Sequence, residues 1–289
     1  MNDPVTKAVI PVAGFGTRML PAAKAVPKEL LPVLDKPTVQ YVAEEAAAAG
    51  VGDILLVTSK DKRAIEDHFD RNADLENRLK AGKKDSLLGS IGALMTRVKV
   101  HAVRQAEQKG LGDAVNQARR HVGDAPFICM LGDTIFSGGM PPAKQLAETY
   151  AKLGTAVIGV EEVPADKVSR YGIVGGKEVT AGVWQVNQLV EKPSAADAPS
   201  RLAIAARYVL TPRIFDCLDE TQPGKGGEIQ LTDAIQRLLT REPVHAVVLT
   251  ARRHDIGNLV DWLTTNLLFA SRDEAVWKEI APLLRELVQ

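Results

Sequence analysis

Cysteine is scarce in this chain, with only two among 289 residues, at Cys129 and Cys217. Neither has a second cysteine or a histidine at the short spacing that metal sites use, and two thiols cannot form a disulfide framework. We interpret both as small core residues, Cys129 in an apolar strand and Cys217 in a helix. This usage fits a reducing compartment, and we expect the protein to be cytoplasmic.

An excess of charge is also absent, since 36 lysines and arginines balance 36 aspartates and glutamates. No basic block stands out, which argues against nucleic acid as a main partner. No apolar run is long enough to span a bilayer, and the first residues are polar rather than a signal segment, so we expect no membrane partner. These limits favour a soluble enzyme built as one large α/β domain, with or without appended helices.

Short apolar runs alternate with helix-length segments through the first half of the chain. This alternation predicts a doubly wound, mainly parallel (Rossmann-like) α/β sheet flanked by helices. Pro37 and Gly50 bracket the first helix, because proline favours the start of a helix and glycine its end. The strands are expected at residues 8–12, 54–58, 98–103, 127–131 and 155–160.

Later segments depart from this alternation. Residues 71–97 are charged and helix-prone, which indicates an insertion over the sheet edge, and residues 172–190 predict a small β-rich excursion. From Asp255 onward, apolar residues at helical spacing predict C-terminal helices whose apolar faces enter the core or a subunit contact. No repeat or linker divides the chain, so we predict a single domain over residues 1–289.

The most informative segment follows the first predicted strand. Here Gly14 and Gly16 turn the chain at the carboxyl end of a strand, where open α/β sheets bind ligands. The glycines allow the backbone to approach a ligand with its N–H groups, and Arg18 and Lys28 add two positive charges. The combination predicts a polyphosphate site. A bare G-x-G pair on its own favours a tight turn, and neither the dinucleotide fingerprint nor a Walker loop is present.

Two aspartates near the ends of predicted elements are candidates for holding a metal ion. Asp133 comes just after the apolar run at residues 127–131, at the sheet edge expected for the glycine loop, although a turn or helix cap would also suit it. Asp255 stands just ahead of a predicted helix and on its own favours a helix-cap role. His254 beside it does not strengthen a magnesium site, because that ion prefers oxygen ligands.

Two further segments have both a functional and a plain interpretation. The Gln105 amide is able to pair with the edge of uracil or thymine, with the Gly110 backbone supplying a complementary contact. Without other information this segment is an ordinary turn between a strand and a helix. Glu191 and Lys192 likewise suit a solvated charged pair before a turn.

The long string around the glycine loop resembles the signature of sugar-nucleotide pyrophosphorylases. Over nearly its whole length the chain resembles the bacterial UTP–glucose-1-phosphate uridylyltransferases, also called UDP-glucose pyrophosphorylases. The resemblance implies transfer of a uridylyl group from UTP to glucose 1-phosphate, with Mg²⁺ as cofactor and a homodimer or homotetramer as the assembly. The matching strings are VAGFGTRMLPAAKAVPKELLPVLDKP, EDHFD, VRQ, KGLGDA, YGIV, VEKP, RYVL, GEIQLTDAI and HDIGN.

The resemblance also implies a role for individual residues of this sequence. It implies a nucleotide-binding half at residues 7–160, a sugar-phosphate-binding half at 161–258 and C-terminal helices at 259–289. The residues expected to meet the phosphates as catalytic groups are Arg18 and Lys28, and those sharing the magnesium are Asp133 and Asp255. The residues expected to hold the uridine end are Ala13, Gly14, Gln105 and Gly110. Those expected to receive glucose 1-phosphate are Gly172, Glu191 and Lys192, with Glu228 lining the sugar pocket.

One string departs from the uridylyltransferase pattern. Around Asp133 the chain has Leu131-Gly132-Asp133-Thr134, where that family often has a proline before the aspartate and a second carboxylate after it. The version here is closer to glucose-1-phosphate thymidylyltransferases, which use dTTP. The insertion at residues 71–97 and the VEKP and GEIQLTDAI strings favour UTP. A non-catalytic paralogue that binds UDP-glucose is a further alternative, but it would be expected to lack Lys28 or one of the metal aspartates.

Overall fold

A computed structural model of the protein describes residues 2–288. The strands are β1 (Lys7–Pro11), β2 (Pro32–Val33), β3 (Lys36–Pro37), β4 (Asp53–Thr58), β5 (Lys99–Arg104), β6 (Phe127–Met130), β7 (Thr134–Ser137), β8 (Ala156–Glu162), β9 (Gly172–Thr180), β10 (Val183–Glu191), β11 (Leu202–Leu210), β12 (Val244–Val248) and β13 (Arg252–Asp255). The α-helices are α1 (Thr38–Ala48), α2 (Arg63–Phe69), α3 (Ala73–Ala81), α4 (Gly89–Met95), α5 (Leu111–Asn116), α6 (Arg119–Val122), α7 (Pro142–Leu153), α8 (Arg213–Glu220), α9 (Leu231–Leu238), α10 (Leu259–Ala270) and α11 (Glu274–Val288).

Nine of these strands form one central sheet in the order β5-β4-β1-β6-β11-β8-β12-β10-β9. Strands β5, β4, β1 and β6 are parallel, and β12 is parallel to β8. Strand β11 is antiparallel to both β6 and β8, and β10 is antiparallel to both β12 and β9. The predicted α/β class with flanking helices is confirmed, but the sheet is mixed rather than mainly parallel. A buried strand gives the same apolar run in either direction, so the sequence pattern does not reveal this reversal.

The sheet is covered on both faces, as a doubly wound arrangement requires. Alternate residues of one strand enter opposite cores: Ile10 packs in a core that includes side chains of α1 and α7, and Val9 packs in a core with α5, α8 and α9. Both cysteines lie in the second core as unpaired thiols, as expected, and burial raises the pKa of Cys129 to about 12.

The predicted first strand, first helix and C-terminal helices all occur within a few residues of their expected positions. Residues 71–97 contain α3 and α4 and no strand, and the expected excursion at residues 172–190 is the hairpin β9–β10. None of the helices described between residues 2 and 288 is long and apolar enough to cross a membrane. The strands missed from the sequence include β7, β11 and β13, which matter most for the site.

His254 on β13 is buried, at 6% exposure, and is held by two neighbours. Its imidazole shares a 2.7 Å hydrogen bond with the Ser137 hydroxyl and packs edge-on against Phe269. Burial, assisted by the positive charges of Arg252 and Arg272, lowers the pKa of His254 from 6.5 to about 4. The folded protein therefore keeps this ring neutral under conditions in which an unfolded chain would protonate it.

We expect this difference to make the protein less stable in mild acid. The contribution of His254 to stability is full above pH 6.5 and declines as the pH falls toward 4, because only the unfolded chain takes up the proton. Urea unfolding at pH 7 and pH 5 measures it. Between these values the wild type should lose about 1–2 kcal/mol more than His254→Gln, which cannot protonate. Equal losses in the two proteins would rule out this role.

Candidate active site

Two cavities meet at the carboxyl ends of the parallel strands. The larger has a volume of about 820 Å³ and the smaller about 390 Å³. Leu111, Leu131 and Asp133 line both of them. Asp133 is thus the one carboxylate among these shared residues, and it stands where groups bound in the two cavities would meet.

The smaller cavity is formed largely by the loop after β1 and the segment after β5. Ala13, Gly14, Gln105 and Gly110, the four residues predicted to hold a nucleoside, all line it. Gly16 in the same loop has a φ of 69°, and a Cβ there would lie 3.3 Å from Ala23 and Lys28 atoms. The left-handed backbone and the crowding explain why this turn uses glycine.

Gln105 and Gly110 are held together on one wall of the smaller cavity. Gln105 is only 4% exposed, and its side-chain Nε2 donates to the Asp113 Oδ2 at 2.6 Å and to the Gly110 carbonyl at 3.2 Å. Gly110 has a φ of 102°, and a Cβ at this position would lie 2.8 Å from the Ile229 carbonyl oxygen. A side chain would therefore push this loop away from its neighbour.

Lys28 and Asp133 form the central ion pair of the site. The Lys28 Nζ lies 2.5 Å from Asp133 Oδ2, and both side chains are largely buried. Burial alone would lower the pKa of Lys28, but Asp133 and Glu29 outweigh it and hold this pKa above its usual value. Burial alone would likewise raise the pKa of Asp133, but Lys28 holds it below its usual value. Both groups are therefore charged at neutral pH.

The turn that carries Lys28 is anchored by its neighbour. Glu29 is 2% exposed, lines the smaller cavity beside Lys28 and pairs with the buried Lys62 at 2.9 Å. Burial raises the pKa of Glu29 in spite of the nearby lysines. This pair fixes the turn to the body of the protein and leaves Lys28 directed toward Asp133.

A short ribbon brings the second predicted metal carboxylate to the first. Strands β7 and β13 are antiparallel with Asp255 opposite Thr134, and the Ile256 N–H donates to the Asp133 carbonyl at 2.9 Å. Asp255 accepts a hydrogen bond from the Gly257 N–H at 2.8 Å. The cap of α10 is Asn258, whose side chain accepts from the Asp261 N–H at 3.0 Å. Asp255 is therefore not the helix cap that its sequence position suggested.

Arg18 lies on the side of this ribbon that faces the larger cavity. Its guanidinium would be 2.7 Å from a Cβ at Gly257, so the absence of a side chain there makes room for it. Among the side chains that the structure describes, Arg18 makes no ion pair. Its charge is therefore available to an anion in the larger cavity.

The predicted sugar-phosphate residues line the larger cavity on the β9–β10 hairpin. Gly172 pairs with Glu191 across the two strands, and a Cβ at Gly172 would lie 3.0 Å from Glu191 Oε2. That same oxygen accepts a 2.7 Å hydrogen bond from the Thr232 hydroxyl. The Lys192 Nζ lies 3.2 Å from the other Glu191 oxygen, so the lysine and the carboxylate face the cavity together.

Glu228 is placed differently from its expected position. It lines the smaller cavity beside Gly110 and does not line the larger one. The cause is a backbone connection: the Ile229 N–H donates to the Lys109 carbonyl at 2.7 Å, and the Gly112 N–H donates to the Ile229 carbonyl at 2.8 Å. The segment that carries Glu228 is thus tied to the wall of the smaller cavity that holds Gln105 and Gly110, while Thr232 farther along the same string reaches the larger cavity.

Arg207 supports the loop that carries Asp133. Its side chain is fully buried and donates to the Leu131 carbonyl at 3.3 Å and to the Thr134 carbonyl at 2.8 Å, on either side of that aspartate. Its other donors form a two-point ion pair with Glu45 on α1, at 3.1 and 2.8 Å. A register shift in β11, with Ala206 at a φ of 60°, accompanies this inward arginine.

The comparisons with known proteins agree with this geometry. The nucleotidyl transferase family model matches residues 7–272. The UTP–glucose-1-phosphate uridylyltransferase of Staphylococcus haemolyticus is 47% identical over 283 residues, covering 98% of each chain. The Bacillus subtilis protein of the same name is 47% identical over 98% of this chain and 97% of its own. The chain belongs to the nucleotidyl transferase family and, within it, to the UTP–glucose-1-phosphate uridylyltransferases.

A solved structure supports the same membership. The UTP-bound uridylyltransferase (UGPase) of Acinetobacter baumannii superposes with a TM-score of 0.90 at 38% identity, covering 98% of this chain and 99% of that one. The family resemblance predicted from the sequence strings is therefore confirmed.

The donor set of this uridylyltransferase is compatible with a hard divalent cation. Asp133 and Asp255 supply carboxylate oxygens, the ligands that Mg²⁺ prefers. Among the described residues, no group of three or more histidines, cysteines and acids could hold a metal alone. Two carboxylates completed by substrate phosphates and water are the usual arrangement for Mg²⁺ in phosphoryl-transfer sites.

Sequence reasoning missed several residues of the uridylyltransferase site. In the larger cavity these are Arg170, Tyr208, Thr232, Arg253 and Asn258. Arg207, which lies behind the cavities, was missed too, although the sequence around it indicates a buried charge. It is the only charged residue in the nine-residue apolar run of β11, and a charge at such a position needs a buried partner.

Proposed function

We propose that this protein transfers the uridylyl group of UTP to the phosphate of glucose 1-phosphate, giving UDP-glucose and pyrophosphate. The observation that carries the proposal is the position of Asp133, which lies in both cavities and pairs with Lys28. The smaller cavity suits a nucleoside, and the larger suits a sugar phosphate. The names of the uridylyltransferases to which the chain is 47% identical support the same reaction.

In this proposal the reaction is an in-line displacement. An oxygen of the sugar phosphate attacks the α-phosphorus of UTP, and the bond from that phosphorus to the pyrophosphate oxygen breaks. The attacking group is already an anion, so no general base is required. This agrees with the cavity linings, in which no histidine or cysteine occurs among the residues that the structure describes.

Positive charge is then the main catalytic contribution of the protein. Lys28 lies beside Asp133, where the α-phosphate would be placed, and we assign it the charge that builds up on that group. Arg18 would meet the phosphates from the larger cavity, and its planar guanidinium is able to hold two oxygens at once. We propose Mg²⁺ as the cation held by Asp133 and Asp255; when bound, it would offset negative charge on the phosphates that meet there.

On the sugar side we assign binding to the hairpin β9–β10. The Glu191 carboxylate, held by Thr232, would accept hydrogen bonds from glucose hydroxyls, and Lys192 would meet the phosphate. Gly172 would leave room for the sugar to approach the strand. We now assign Glu228 to the nucleoside end, because of its place beside Gly110. We still propose a nucleotide half at residues 7–160 and a sugar half at 161–258, with Glu228 lining the smaller cavity and Arg18 reaching the larger one.

The test is the release of pyrophosphate by the purified protein with Mg²⁺ and glucose 1-phosphate, comparing UTP with dTTP, CTP, ATP and GTP. The proposal requires a strong preference for UTP. Preference for dTTP would instead favour the thymidylyltransferase alternative raised by the Leu-Gly-Asp-Thr string. Inactivity with all five nucleotides, together with binding of UDP-glucose, would favour a non-catalytic paralogue.

The C-terminal helices support a proposal about assembly. Leu263 and Leu267 on α10 and Leu283 on α11 are 52%, 39% and 56% exposed. Covering such side chains with the same surface of a second copy would remove apolar area from water. We therefore propose a homodimer or homotetramer, and the two unpaired cysteines support our proposal that it acts in the reducing cytoplasm. Light scattering should give twice or four times the chain mass of 31.1 kDa, and a mass equal to one chain would reject the proposal.

A further inference from the structure

The orientation of the Gln105 side-chain amide is fixed by its surroundings. The nitrogen faces two oxygens, the Asp113 carboxylate at 2.6 Å and the Gly110 carbonyl at 3.2 Å. An ionised carboxylate and a carbonyl accept hydrogen bonds and cannot donate them. If the amide were flipped, its oxygen would face two other oxygens with no proton between them. The amide nitrogen must therefore point toward Asp113, and the amide oxygen must point elsewhere.

The Gln105 amide oxygen is directed toward the smaller cavity. Gln105 lines that cavity, and no donor to this oxygen occurs among the described residues. No fully buried side-chain nitrogen or oxygen lacks a partner in the described part of the chain. The oxygen is therefore accessible from the cavity, where it presents an acceptor to a bound base.

A single acceptor at this place distinguishes between pyrimidines. Uracil and thymine carry an N–H donor at position 3, whereas cytosine carries a bare nitrogen acceptor there. The Gln105 amide oxygen accepts a hydrogen bond from the N3–H of uracil or thymine and so stabilises their binding. With cytosine, the amide oxygen and the bare ring nitrogen are both acceptors and face each other without a proton. Such a mismatch in a buried site is costly, because neither group finds a partner.

We infer that Asp113 is a specificity-determining residue, which selects uracil or thymine over cytosine by fixing the orientation of the Gln105 amide. The inference rests on the proposed function, which places the base of the nucleotide in the smaller cavity. It adds a role for Asp113, which does not itself line that cavity. Of the two acceptors, Asp113 is the closer and the charged one, so it exerts the stronger hold. The Gly110 carbonyl disfavours the flipped orientation of the Gln105 amide but does not by itself prevent it.

The experiment replaces Asp113 with asparagine, which keeps the size but offers either an oxygen or an amide group to Gln105. The Gln105 amide then becomes free to turn its nitrogen toward the cavity. We measure kcat and KM for UTP and for CTP with glucose 1-phosphate, and compare the two kcat/KM values. The UTP-to-CTP ratio should fall by about tenfold or more, with UTP binding weaker and CTP binding stronger.

Two further variants control the result. Asp124→Asn removes an exposed carboxylate outside both cavities and should leave the ratio unchanged. Asp113→Ala leaves Gly110 as the sole acceptor and should also lower the ratio, while thermal unfolding verifies that each variant is folded. A purely structural role for Asp113 would lower both kcat/KM values equally. A ratio within about twofold of the wild type in both Asp113 variants would overturn the inference.

The wild type separates this inference from the proposed function. If the wild type prefers dTTP to UTP, the proposed function fails. The inference is then tested by comparing dTTP with dCTP, because thymine carries the same N–H donor at position 3 as uracil. If the wild type is inactive with every nucleotide, selectivity is measured as the shift of the thermal unfolding midpoint by UTP and by CTP. A selectivity that both Asp113 variants retain would then still overturn the inference.

Discussion

Replacing Lys28 with alanine is expected to lower kcat by about 10²-fold or more. The Lys28 ammonium lies 2.5 Å from Asp133 in a largely buried position, so its charge is poorly screened by water. The substitution removes positive charge from the place where the α-phosphate would gain negative charge in the transition state. Single-turnover and steady-state kinetics with UTP and glucose 1-phosphate measure the loss.

The loss should fall on kcat more than on the KM for UTP, because in the proposed function the glycine loop and Gln105 would still hold the rest of the nucleotide. Lys152→Ala, which removes an exposed lysine from α7 on the surface, is the matched control and should leave both parameters unchanged. Unchanged turnover in Lys28→Ala would remove Lys28 from the catalytic role assigned to it.

Lys28 and Asp133 should both stay charged across the neutral pH range. The pKa of Lys28 is above its usual value and that of Asp133 below its usual value, so neither group titrates near pH 7. The ion pair therefore contributes stability at neutral pH, which is lost when the pH falls through the pKa of Asp133 or rises through that of Lys28. Any change of activity between pH 6 and 8 must have another origin.

The parts of the site predicted most closely are those that the chain makes locally. The glycine loop follows β1 and Gln105 follows β5 within a few residues, and parallel strands bring their carboxyl ends to one edge. A strand pattern with its following loop therefore carries enough information to place them. The polyphosphate site was predicted from the glycines and the two cations themselves, whereas the assignment of Gln105 to a base depended on the family strings.

The parts that could not be predicted depend on pairings between distant segments. Asp255 looked like a helix cap because the ribbon of β7 and β13, which sets it beside Asp133, is made of two short strands from separate regions of the chain. Glu228 was expected at the sugar because of the family resemblance of the string that contains it. The backbone bonds of Ile229 to the loop around Gly110 divide this string between the two cavities.

The antiparallel direction of β11, the strand that carries Arg207, also depends on pairing between distant segments. A strand buried at all nine positions gives an apolar run without a direction, and the register shift that accompanies Arg207 has no local sequence pattern. What the sequence does show is an arginine among apolar residues. Since a buried guanidinium must find acceptors, such a residue indicates a structural connection across the core. Here the connection runs from α1 through Glu45 to the loop around Asp133.

Replacing Arg207 with methionine is expected to reduce both stability and turnover. The change leaves the Glu45 carboxylate buried without its partner, which should cost about 3–5 kcal/mol of unfolding free energy. It also removes the donors that hold the Leu131 and Thr134 carbonyls on either side of Asp133. Displacement of that carboxylate should lower kcat by about tenfold or more and raise the concentration of divalent cation needed for half-maximal activity. Urea unfolding and cation titrations measure the two effects.

The double variant Arg207→Met with Glu45→Gln separates these effects. The glutamine removes the unpaired charge, and its oxygen is still able to accept the Ala143 N–H bond that Glu45 accepts at 2.9 Å. Part of the lost stability should therefore return, because no uncompensated charge remains in the core. Turnover and the cation requirement should not recover, because neither new side chain reaches the Leu131 and Thr134 carbonyls with a fixed pair of donors. If kcat recovers along with stability, Arg207 serves the core alone and Asp133 is positioned by the β7–β13 ribbon without it.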